Sequence, residues 1–126
     1  MGRKVYLRGS ARTLWYFSKS DDFEEIDAWI SARPKNDHTG IANRFRIISE
    51  SREYPKDKKA FRHEFGEVWA IKVGQCRFYG CKVADGFDIF LFLIKKQTKL
   101  SKKEIALIER EYKIYSEWKM GGDHEG

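Results

Sequence analysis

An α+β fold is predicted from three features of the chain. Apolar residues recur at helical spacing between residues 23 and 48, they alternate with a period of two between residues 67 and 94, and a capping box at Ser101 opens one more helix. The 126 residues are 41% hydrophobic and 15% aromatic, enough for one core and one domain, expected over residues 13–118. A 35% charged content places that core under a heavily charged surface rather than in a disordered chain.

Residues 1–12 carry Arg3, Lys4, Arg8 and Arg12 without an acid, and Gly9 and Ser10 interrupt any periodicity, so a flexible basic extension is expected. Thr13–Ser18 (TLWYFS) is β-branched and aromatic and suits an N-terminal strand. Ser20 or Asp21 is placed to cap a helix whose first turn holds Asp22, Glu24 and Glu25, acids that complement the helix dipole. Phe23, Ile26, Trp29 and Ile30 mark one face of it, and Pro34 ends it. After a polar loop, PKNDHTG, the residues Ile41, Phe45 and Ile48 predict a second helix that ends before Pro55, which completes a helical hairpin.

Three antiparallel strands forming a small sheet follow: EVWAIKV, CRFYGCKV and FDIFLFLI, separated by turns at Gly74-Gln75 and Asp85-Gly86. Ser101 and Glu104 form the capping box of a C-terminal helix with a stripe of Ile105, Ile108, Tyr112 and Tyr115. Residues 119–126 are expected as a disordered tail.

The 25 Lys+Arg against 19 Asp+Glu give a net charge of +6, which favours an anionic partner such as nucleic acid or an acidic protein segment. Cys76 and Cys81 fit neither a zinc site nor a secreted disulfide framework, and the three scattered histidines point to no metal; no cofactor is called for. With no apolar leader after the basic start and no apolar run near the length of a membrane span, a soluble, cytoplasmic protein is expected.

The first hairpin carries the chemistry. With Gly74 and Gln75 as the loop, Val73 pairs with Cys76, Lys72 with Arg77, Ile71 with Phe78 and Ala70 with Tyr79. One face then holds Trp69, Ile71, Val73, Cys76 and Phe78, ready to pack on a helix, and the other holds Lys72, Arg77 and Tyr79. Cys76 and Cys81 fall on opposite faces, which argues against a disulfide between them. Like charges directly opposite each other are destabilising, so the Lys72/Arg77 pair reads either as two side chains splayed into water or as a place for a shared phosphate. Lys95, Lys96 and Lys99 leave the last strand as a basic rim.

EVWAIKVGQCRFYGCK followed by IFLFLIKKQTKLSKKEI resembles the core signature of RelE/ParE-superfamily toxins, closest to the phage-derived RelE/HigB-like branch. The resemblance implies a RelE-like microbial RNase-type fold, and a type II toxin that cuts mRNA on the ribosome by 2′-OH attack on the adjacent phosphate. It also implies a partner antitoxin, often with a helix-turn-helix domain, and a dimer or a heterotetramer with that antitoxin. Lys72 matches the basic position that ends the first hairpin strand, Arg77 the arginine that opens the second, and Lys95 and Lys96 the paired lysines. Ala70 stands where many members have Glu, Cys76 where they have Tyr, and Ser101 where Pro is common.

On this reading Arg77 stabilises the phosphate, because its fork bonds two oxygens and keeps its charge. Lys72 and Lys95 are charge stabilisers or proton carriers, and Tyr79 stacks on a base or shares proton transfer. Lys96, Lys99, Arg62 and His63 are candidate RNA-binding residues. His63 is also a candidate general base, oriented by Glu64 or Glu67, against the plainer reading of a surface loop histidine. Two alternatives stand beside this one: a ParE-like topoisomerase inhibitor that binds without chemistry, and a phage-derived relic that keeps antitoxin binding after losing catalysis.

Overall fold

The computed structural model describes residues 1–97 and 99–121. The chain is α+β, with an open six-stranded mixed sheet ordered β1-β2-β6-β5-β4-β3. Its strands are β1 (Gly2–Arg8), β2 (Thr13–Ser18), β3 (Phe61–Phe65), β4 (Val68–Val73), β5 (Cys76–Val83) and β6 (Gly86–Ile94). Only β2 and β6 run parallel; every other pair is antiparallel. Helices α1 (Glu25–Ser31) and α2 (Lys35–Glu50) cover one face, and α3 (Lys102–Met120) covers part of the other.

Alternation along the strands sorts the apolar residues into two cores. Leu14, Phe61, Ile71, Phe78, Phe87 and Ile89 meet Ile26 of α1 and Ile41, Phe45 and Ile48 of α2. Phe17, Val68, Ala70, Tyr79, Cys81 and Phe90 meet Ile108 and Tyr115 of α3. Burial of those two faces from water is the main force holding the helices to the sheet. Both cysteines are buried and free, Cys76 in the first core and Cys81 in the second.

Several elements differ from the expectation. The supposed flexible extension contains β1, an edge strand paired with β2. Its cation Arg3 is drawn in by the fully buried Asp88 of β6, to which Tyr115 also donates, with Lys119 3.6 Å away. Arg3 also lies 4.0 Å over the Trp15 ring. Arg12 is tied to the end of α2 by bonds to the carbonyls of Ser51 (2.8 Å) and Arg52 (2.7 Å). The sheet has six strands rather than the N-terminal strand and three others expected: β1 is one addition, and the segment FRHEF around His63, which pairs with β4 as β3, is the other.

Helix α1 starts later than expected, with Glu24 at its N-cap and no side-chain cap. Asp21 takes a positive φ of 64°, which no helix tolerates, so the preceding turn is held instead by Ser20 and Asp22 side chains bonded to the backbone of Asp22 and Glu24. Helix α2 starts earlier, directly after Pro34, so the polar segment that was expected as a loop forms its first turns. Pro34 is harmless there because a helix N-terminus has no use for its missing N–H. The second hairpin turn is Ala84-Asp85, since Val83 pairs with Gly86. The capping box is present, and α3 continues through Lys119 and Met120, the first residues of the expected tail; residues 122–126 of that tail lie outside the described residues. No helix among the described residues is long and apolar enough to cross a membrane.

A candidate cationic site on the uncovered part of the sheet

The Gly74-Gln75 turn sets the register, with Gly74 at a φ of 55° that suits glycine. Val73 pairs with Cys76, Lys72 with Arg77, Ile71 with Phe78 and Ala70 with Tyr79, as the sequence predicts. Lys72 and Arg77 are therefore cross-strand neighbours on the α3 face, both half-buried. The Lys72 ammonium donates to the carbonyl of Lys58 at 3.1 Å, and the Arg77 guanidinium to the carbonyls of Gly74 (2.6 Å) and Cys76 (3.0 Å).

Electrostatics mark this pair as uncomfortable. Desolvation holds the Lys72 ammonium below the usual lysine range, and the charges of Arg77, Arg62 and Lys95 push the same way against the attraction of Glu64. Burial likewise lowers Arg77, opposed by Tyr79, Glu64, Cys76 and Glu104. Lys95 is 9% exposed, and its backbone N–H is bonded to the carbonyl of Gln75 at 2.8 Å, which fixes it beside the same turn. Arg62 sits on β3 opposite Ala70, so it lies on the α3 face with Lys72. These four cations, Arg62, Lys72, Arg77 and Lys95, share one side of the sheet next to the start of α3. A dianionic or phosphodiester group there would relieve their mutual repulsion and be held by an arginine fork.

The other candidates fall elsewhere. Tyr79 is on the expected face but only 1% exposed, packed in the core beneath α3, so it has no free ring face for a base. Burial, then Glu64, raises its hydroxyl well above the usual tyrosine range, which makes it a poor proton donor or acceptor near neutrality. His63 pairs with Trp69 and therefore points to the opposite face, its ring 5.1 Å from that indole. Its Nε2 lies 2.7 Å from the Gly66 carbonyl, so that carbonyl, rather than Glu64 or Glu67, sets its orientation. Lys96 and Lys99 are exposed in the segment between β6 and α3.

Sequence reasoning assigned Glu64 only a supporting part beside His63. The β3/β4 register shifts between His63 and Phe65, so Glu64 is the extra residue of a β-bulge. No alternation count could have placed its side chain; a bulge beside a cationic strip was the missing signal. Among the described residues no group of His, Cys, Asp or Glu could hold a metal ion.

No model of a known protein family matches the chain. No curated protein matches it either.

Proposed function

We propose that this protein is a toxin of the RelE-like kind, an endoribonuclease that cuts mRNA in the ribosome by attack of a 2′-OH on the adjacent phosphate. The observation that carries the reading is the in-register Lys72/Arg77 pair, joined on the same face by Arg62 and Lys95. In-line attack at phosphorus builds negative charge on the non-bridging oxygens, and fixed cations in a partly desolvated site stabilise that charge more than the ground state. Arg77 grips two phosphate oxygens, and Lys95 adds charge. Lys72, with its affinity for a proton reduced, is suited to protonate the departing 5′-oxygen.

The order of the elements supports a RelE-like fold: β2, the α1/α2 pair, the β4–β6 meander and α3, with β2 parallel to β6. The partner proposed is an antitoxin, with a helix-turn-helix part, whose acidic segment covers the same cations and keeps RNA out. A relic that has lost catalysis is the second reading, favoured by Ala70 and by the burial of Tyr79.

The test is induced expression of the wild type and of Arg77→Ala, with growth followed and mRNA ends mapped by primer extension. Arrest with new cuts inside translated codons, both lost in Arg77→Ala, is the expected result. Arrest without cuts would replace cleavage by topoisomerase inhibition, and neither arrest nor cuts would leave the relic.

A further inference from the structure

The cationic strip has groups to hold and discharge a phosphate, with Lys72 as the acid, but two of the candidate proton carriers, Tyr79 and His63, are unavailable to take the 2′-OH proton. Tyr79 is buried beneath α3, and His63 is on the far face of the sheet. A base must therefore come from another residue on the α3 face, and carboxylates are the remaining chemistry. Asp88 is fully buried and occupied by Arg3 and Tyr115. Glu104 is committed to the helix cap, where its carboxylate accepts the backbone N–H of Ser101 at 2.9 Å. Glu64 is left.

Its direction follows from the other bulges of this sheet. The register of β1 on β2 shifts at Tyr6, and both Tyr6 and its successor Leu7 pack into the core beneath α1 and α2. The register of β5 on β6 shifts across Phe90, and both Phe90 and Leu91 pack into the core beneath α3. In each case the extra residue and the one after it share a face, as a bulge requires. The β3 bulge has Glu64 as its extra residue and Phe65 after it, and Phe65 packs against the α3-side core. Glu64 is thus turned onto the α3 face, half-exposed, on the same edge strand as Arg62. Its negative charge is felt at Lys72, Arg77 and Tyr79, which agrees with that direction.

We infer that Glu64 is the general base of the site, placed there by the β3 bulge. This rests on the RNA-cleavage reading above. The Glu64 carboxylate removes the 2′-OH proton as the O2′–P bond forms, and the P–O5′ bond breaks as the 5′-oxygen takes a proton from the Lys72 ammonium. The products are a 2′,3′-cyclic phosphate and a 5′-hydroxyl. Glutamic acid then returns its proton to water and Lys72 regains one, so no other reactant is needed.

The experiment compares purified wild type, Glu64→Gln, Glu64→Asp and Arg77→Ala for cleavage of mRNA on programmed ribosomes, with circular dichroism to check folding. Glu64→Gln is expected to slow cleavage by roughly a hundred- to ten-thousand-fold. It should also bind RNA at least as well as wild type. Glu64→Asp should recover part of the rate. A folded Glu64→Gln that cuts within threefold of wild type overturns the assignment while leaving the cleavage reading intact. No cutting by the folded wild type overturns both.

Discussion

Two regions of the sheet treat their cations in opposite ways. Beyond the end of α2, Tyr54, Phe61 and Trp69 lie nearly parallel, with ring centroids 4.7 and 4.8 Å apart. Lys82 rests 3.9 Å from the Trp69 centroid and 4.7 Å from that of Tyr54, and Arg12 rests 3.9 Å over Tyr54. Ring quadrupoles satisfy these charges without any ligand. Beside the Gly74-Gln75 turn on the α3 face, Lys72 and Arg77 face each other across the hairpin, and their hydrogen bonds run to backbone carbonyls. A basic residue on a sheet thus becomes a candidate for anion binding only where the fold leaves its charge unanswered, which net charge alone does not reveal.

The largest effect is expected at the aromatic floor. Phe61→Ala removes the middle, buried ring and should cost about 3–5 kcal/mol in urea unfolding, with cleavage per folded molecule retained. Arg77→Ala should do the reverse: stability nearly unchanged, and mRNA cleavage lower by about a hundredfold or more, read by primer extension.

A subtler contrast concerns the thiols. Burial, reinforced by Glu67 and Asp88, pushes Cys81 up to about 12, whereas Cys76 is raised by burial and Asp37 with Arg33 and Arg77 opposing. Because folded Cys81 holds its proton above the pH at which an unfolded cysteine loses it, its contribution is intact below about pH 9. That contribution falls by about 1.4 kcal/mol per pH unit as pH rises towards 12. Cys81→Ala should flatten this part of the alkaline stability curve measured by urea unfolding.

The smallest effects are the most diagnostic. Lys82→Met should cost about 0.5–1 kcal/mol by losing its cation–π contacts. Lys72→Met should instead stabilise the fold by a few tenths to about 1 kcal/mol by ending the like-charge pairing. If both substitutions moved stability in the same direction, the proposed difference between the two regions would fail.

What could be read in the sequence was local. The Gly74-Gln75 turn and the period-two strands around it fix the Lys72/Arg77 pairing, and the Ser101/Glu104 box needs only four residues to be recognised. The edge strands were hidden because their alternation is interrupted by bulges at Tyr6 and Glu64, and because the cations of β1 look solvated until Asp88, more than eighty residues away, is seen to neutralise Arg3. The first turns of α2 have no apolar stripe to betray them. For the site, alternation told which face Tyr79 occupies but not that α3 covers it. With His63 weighed as a loop residue, strand β3 went unseen, and with it the fact that His63 and Glu64 point to opposite sides.

The parallel pairing of β2 with β6 has a consequence for the timing of synthesis. Residues 13–16 find their partners only when residues 86–89 have been made, and α3 follows later still. At about 5–20 residues per second, the β1–β2 hairpin waits several seconds beside a growing chain before the strand that anchors it appears. The Lys72/Arg77 hairpin likewise emerges before β6, its neighbour in the sheet, and before α3 roofs the adjoining core. On the proposed reading, an enzyme that attacks translating ribosomes would be completed late enough to spare the one that makes it, and an antitoxin would have that interval in which to arrive.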